Sequence, residues 1–296
     1  MRIRATVAAV SGALALSVLA VPAAQADDSG ASRADVAKVR QAASARAAGK
    51  PYALNVSFSN FKIAKAVKAG TTKHVATTVT YTLTHGAEVD ITDRDFVTDP
   101  IIYRGSYTAP ENMLYGNKPA KCTATNATTA TCKGTIDVYP GDHELRNTDA
   151  GTWRAAAEAT AFNGQDPAGE TFDITKVGYK GRSGLGSTLM QRFSKLTVNA
   201  SPEPVKKGKT ITVTGKLSRA NWDDSKYHGY TNQSVKLQFR KKGSSTYTTV
   251  KTVKTHAAGN LKTTVTATRD GYFRFTFAGT TTTPSVSAKG DFVDVR

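Results

Sequence analysis

From Tyr52 onward the chain alternates apolar and polar positions. Leu54, Val56 and Phe58 recur with period two, as do Val75, Thr77, Val79, Tyr81 and Leu83. A period of two lines one face of a pleated strand, so these runs predict β-structure with one side turned inward. Residues 121–136 read as a hairpin, 152–162 as a further strand carrying Trp153, and Phe172, Ile174 and Val177 as the close of a first unit. The alanines of 153–161 also suit a helix, but Gly151 and Gly164 bracket the stretch and its neighbours are strand-like. A loop containing Gly181, Ser183, Gly184, Gly186 and Ser187 then separates the units.

The second unit alternates more cleanly, at 196–200, 210–217, 235–240, 246–253, 261–267, 272–277 and 292–295. Seven short strands with turn signals about every ten residues match the count of an immunoglobulin-like sandwich. A short repeat, Gly151-Thr-Trp-Arg against Gly271-Tyr-Phe-Arg, supports tandem modules. The predicted fold is all-β: two tandem immunoglobulin-like β-sandwich domains, at 51–190 and 191–296.

The first fifty residues lack this texture. Arg2 and Arg4 precede an apolar run from Ala5 to Val21, which Pro22 breaks before Ala24-Gln25-Ala26. Basic start, apolar middle and small residues before a cut form a secretory signal peptide, here 1–26. The run is short for a membrane anchor and includes Ser11, Gly12 and Ser17. Residues 27–50 are rich in Ala, Ser and charge and predict a flexible tether, at most one fraying helix. The expected mature protein is secreted, without a transmembrane segment.

Composition adds an asymmetry. Residues 197–296 carry 17 Lys and Arg against 6 Asp and Glu, whereas 51–196 carry 16 against 14. A basic module outside the cell suits an anionic partner such as a cell-wall polymer or another extracellular polyanion, the plainer reading being solubility. Cys122 and Cys132 are the only cysteines. In an oxidising compartment they predict a disulfide across the hairpin. The sequence has no HExxH, Gly-x-Ser-x-Gly or nucleic-acid signature, so no catalytic or cofactor-binding residue is assigned, a cryptic hydrolase remaining an alternative.

Two stretches carry candidate binding chemistry. Glu88, Asp90, Asp93 and Asp95, with Asp99 beyond, offer hard oxygen ligands for Ca²⁺, with Glu88 and Asp90 expected on one face of a strand. The alternative is a solvated acidic strand edge. In the second unit the loop 221–230 presents Trp222, Tyr227 and Tyr230 for stacking on a ligand, or folds Trp222 and Tyr230 inward as an end cap. Arg240, Lys241 and Lys242 add positive charge beside Phe239 and Tyr247.

Trp222, Tyr227-His-Gly-Tyr230, Val235 to Gly243, Tyr247 to Lys254, Gly271 to Gly279, Thr280 to Pro284 and Gly290 to Val295 together resemble a C-terminal domain of secreted actinobacterial proteins of unknown function. The likeness covers about the last 100 residues. It implies an immunoglobulin-like sandwich and an exported protein, and some similar proteins are labelled calcium-binding. It implies no activity.

Overall fold

The computed structural model describes residues 32–45 and 49–296. The signal peptide expected at 1–26 and the start of the expected tether lie outside the described residues. The chain divides into two compact units. Of the described residues, one unit holds those up to 65 with 76–138 and 152–188; the other holds 189–296 together with 66–75 and 139–151. The second unit thus takes two segments from the sequence half that a single boundary at 190/191 assigns to the first.

The first unit opens with α1 (Arg33–Ser44) and continues through β1 (Tyr52–Ala53) and β2 (Val56–Ile63), while β3 (Ala66–Ala69) belongs to the second unit. Then come β4 (Val75–His85), β5 (Phe96–Gly105), β6 (Pro110–Tyr115), β7 (Lys121–Asn126), β8 (Thr129–Val138), β9 (Gly151–Ala161) and β10 (Gly178–Arg192), whose last residues, from Leu189, belong to the second unit and pair with β3. One sheet has the order β2-β4-β8-β7, the other β1-β10-β9-β5-β6. In immunoglobulin lettering the first sheet is A-B-E-D and the second carries G-F-C-C′ with β1 added in parallel beside G, so strand order makes the unit immunoglobulin-like.

The second unit comprises β11 (Ser194–Leu196), β12 (Asn199–Ser201), β13 (Thr210–Asn221), β14 (Lys226–Gly229), β15 (Ser234–Lys241), β16 (Thr248–Lys254), β17 (Asn260–Thr266), β18 (Gly271–Phe277), β19 (Val286–Ser287) and β20 (Asp291–Val293). Here β13 is flanked by β12 and β17, and β16-β15-β18 continues into β19 and β20. These are the A-B-E and C′-C-F-G sheets of the same plan. Between them lie Ile211, Val213, Leu217, Val235, Leu237, Leu261, Phe273, Phe275 and Phe277, all buried. Each such side chain contributes about 1.5–3 kcal/mol by leaving water.

The repeated Gly-x-aromatic-Arg begins the F strand of each unit, β9 and β18. In both, the aromatic (Trp153, Phe273) is buried and the arginine (Arg154, Arg274) faces outward, as alternation requires. The alanines of β9 therefore lie in a strand. That strand is buried on both faces from Ala155 onward, which explains why its apolar run does not alternate.

Three expectations need correction. Residues 33–44 are no tether: Ser32 and Asp35 form a capping box, and Val36 and Val39 pack against Val97, Phe162 and Val177. Tertiary contact stabilises a helix that composition alone leaves marginal. The glycine-rich stretch 181–187 lies within β10. Gly184 and Gly186 take φ of 76° and 136°, with nothing within 4 Å of a Cβ placed there, so the strand passes through backbone shapes that read as a loop. Phe172, Ile174 and Val177 flank a 3₁₀ turn, and the closing strand is β10.

The disulfide is present. Cys122 and Cys132 sit directly opposite on β7 and β8 and are bonded, tying D to E within one sheet. Asn126 accepts from the Thr128 N–H at 3.0 Å and shapes the turn between them.

Candidate binding surface of the second unit

Alternation along β15 sends Val235, Leu237 and Phe239 inward and Lys236, Gln238 and Arg240 outward. On β18 the outward set is Tyr272, Arg274 and Thr276. Antiparallel register sets Arg240 opposite Tyr272 and Gln238 opposite Arg274, and on β20 sets Phe292 opposite Tyr272. The result is a row of interleaved cations and rings. The Arg240 guanidinium lies 4.1 Å from the Tyr272 ring centre and 5.3 Å from that of Tyr247. Arg274 lies 3.7 Å from the Tyr247 ring, and the Tyr272 and Phe292 rings are 5.1 Å apart. Lys242 Nζ sits 5.5 Å from Phe292 and 3.4 Å from the Asp270 carboxylate.

Ring contacts hold the guanidinium planes while leaving N–H edges for an acceptor. The Arg274 Nε–H donates to Gln238 Oε1 at 2.9 Å and an Arg240 Nη1–H to the Ser244 carbonyl, which fixes both heads. Gly290 gives the ring room: a Cβ there would lie 2.2 Å from the Tyr247 hydroxyl, so the tyrosine would have to shift. Asp270 is held below the usual carboxylate range, first by the Val295 backbone N–H and then by Lys242. Arg240 and Lys242, singled out from the sequence, join this row, and Lys241 is exposed beside them. Tyr272, Arg274 and Phe292 were missed. The Tyr-x-Arg alternation of 272–274 was the available signal, but only strand register brings it to Arg240.

The stretch 221–230 is not the loop expected: β14 pairs antiparallel with the end of β13, leaving only a tight turn between Asn221 and Lys226. Trp222 is fully buried, its indole N–H donating to the Gly70 carbonyl at 2.8 Å and its backbone N–H to Asn147 Oδ1 at 3.0 Å. As a ligand contact Trp222 is therefore withdrawn; it is the end cap. Tyr230 packs edge-on to Phe277 and lies under Arg219, whose guanidinium is 3.9 Å from the ring centre. Tyr227 is half-buried beneath Lys195, with Nζ 3.6 Å from the ring, and burial raises its hydroxyl pKa. His228 Nε2, on β14, and Asp224 Oδ2, in the turn before it, pair at 2.6 Å.

In the first unit, Glu88, Asp90, Asp93 and Asp95 line one open cavity of about 470 Å³ with Asn55 and Asn163. The segment is a series of turns, not the strand expected for Glu88 and Asp90. Its carboxylates make those turns: Asp90 accepts from the Thr92 N–H and hydroxyl, Asp93 from the Asp95 N–H, and Asp95 from the Gly164 N–H. Glu88 accepts from Asn55 at 2.8 Å. Among the described residues no three His, Cys, Asp or Glu side chains come together as a metal-ligating group.

No family model matches the chain, and no curated protein does. Solved structures give distant likenesses. The titin I-band fragment I67–I69 is 11% identical at a TM-score of 0.31, over 81% of this chain and 65% of that one. The D0–D1 domains of intimin are 17% identical at 0.24, over 80% and 98%. The Yersinia pseudotuberculosis adhesin InvE is 13% identical at 0.24, over 81% and 60%. The chain thus spans less than two thirds of the titin fragment and of InvE. The class of protein is defined by strand order: a chain of two immunoglobulin-like units.

Proposed function

We propose that this is a secreted, non-catalytic binding protein whose second unit contacts an extracellular anionic polymer, such as that of a cell wall. The observation that carries the reading is the outward row of Arg240, Arg274 and Lys242 among Tyr247, Tyr272 and Phe292. Rings hold the cations in place on one sheet face, and the surrounding hundred residues are strongly basic. A repeating polyanion meets such a face at several points at once, which makes weak single contacts add. The Cys122–Cys132 disulfide is compatible with life outside the cytoplasm. Among the described residues no helix is long and apolar enough to cross a membrane. Isolated cell walls should retain the mature protein in low salt and release it in molar salt. Retention that survives molar salt, or none in low salt, overturns the reading.

A second reading, Ca²⁺ in the first unit, is favoured by one observation: Glu88, Asp90, Asp93 and Asp95 line a common cavity. A cation bound only by the folded state raises its melting temperature. An unchanged melting temperature in millimolar Ca²⁺ removes this reading.

A further inference from the structure

On the outer face of the first unit, Asp99 of β5 stands directly opposite Glu158 of β9. Both are almost fully buried. Two carboxylates side by side in a dry place are unfavourable unless cations meet them. The cations come from α1. Arg33 and Arg40, two turns apart on one helix face, bond Asp99 and Glu158 respectively, the second pair at 2.8 Å. Between them Val36 and Val39 fill the apolar pocket of Val97, Phe162 and Val177. The far side of Glu158 is closed by the Tyr179 hydroxyl at 2.8 Å, itself 3.1 Å from that of Tyr107. The face is shaped and charged for a short helix with two arginines seven residues apart.

The fit is incomplete. Nε and Nη2 of Arg33 and Oδ1 of Asp99 are buried with no hydrogen-bond partner among the described residues. Two buried valines and two ion pairs are set against the ordering of twelve residues and the desolvation of the groups that form those pairs. Among the described residues no strand pairs with the helix, so it can leave without breaking a sheet ladder. We infer that α1 is an exchangeable latch: the Asp99–Glu158 face releases its own helix before the unit unfolds and accepts α1 of a second copy, giving a helix-swapped dimer. The identical segment is the occupant because it already carries the complementary charges and spacing. Exchange of an identical element is a low-cost route to a dimer.

Charge reversal tests this with the full mature chain. Arg40→Glu alone and Glu158→Arg alone each place like charges at the latch, so each should remain monomeric with rapid hydrogen exchange in α1. Mixed in equal amounts, each helix finds its opposite charge only on the other chain. Light scattering should then report a one-to-one dimer, with α1 exchange at least tenfold slower. A mixture that stays monomeric with α1 still exposed overturns the inference. Wild-type exchange in mild urea covers the case in which a variant fails to fold. There α1 amides should open before those of β5 and β9; α1 that exchanges only with β5 and β9 overturns it equally.

Discussion

Replacing Trp222 separates two roles that its position in the sequence allows. The side chain is fully buried, and its N–H satisfies the Gly70 carbonyl at 2.8 Å. Trp222→Ala removes the largest side chain at that end of the unit and leaves a cavity, a change that costs about 3–5 kcal/mol in cores. The Gly70 carbonyl also loses its donor, a further penalty of about 1–3 kcal/mol if water does not reach it. Trp222→Phe keeps most of the volume and isolates the hydrogen bond, so its expected cost is about 1–3 kcal/mol plus a small packing loss. The assay is urea unfolding of the chain lacking residues 1–26, followed by the β-sheet circular-dichroism signal. Both midpoints should fall, Ala further than Phe, while folded Trp222→Phe should bind isolated cell walls to the same extent as the wild type. A variant with an unchanged midpoint and lost retention would refute the reasoning, because it would make Trp222 a contact residue.

Other expectations follow from single observations. Converting Cys122 and Cys132 to Ala should cost about 2–3 kcal/mol by freeing a short loop in the unfolded chain, read as a lower urea midpoint; an unchanged midpoint contradicts this. Burial pushes the Asp99 carboxyl from 3.8 up to about 7, with Arg33 opposing and Glu158 reinforcing the shift. The folded chain thus holds a proton that the unfolded chain has released, and the associated stability is full below about pH 4 and lost as pH rises through about 7. Asp99→Asn should flatten the fall in urea midpoint between those values, and parallel wild-type and variant profiles would contradict it. Gly290→Ala should displace Tyr247 and weaken wall retention, since its new Cβ would clash with the tyrosine hydroxyl; retention at the wild-type level would count against the row as the contact surface.

Much of the second unit was legible because its strands have one wet and one dry face. Val235, Leu237 and Phe239 announce β15, and Phe273, Phe275 and Phe277 announce β18, through alternation alone. The cysteine hairpin was legible from spacing. What escaped depended on partners distant in sequence. Trp222 looks like a ligand platform until residues 66–75 and 139–151 bring Gly70 and Asn147 to it. Gly181 to Ser187 punctuate like a loop, and only the ladder of β10 with its neighbours makes them strand. Residues 33–44 look too polar to pack, because the sequence does not announce that Asp99 and Glu158 are opposite one another. The row of cations and rings was half legible: Arg240 and Lys242 stand out as charge, but Arg274, Tyr272 and Phe292 join them only through register.

Whether that row meets a polyanion is tested most directly by the salt dependence of binding to a purified anionic wall polymer. Wild type should be compared with the Arg240→Ala, Arg274→Ala double variant. If both guanidiniums displace counterions, the variant binds more weakly in low salt, and its plot of log affinity against log salt is shallower by about two. An unchanged slope and affinity, in a variant that unfolds at the wild-type urea midpoint, would contradict the assignment.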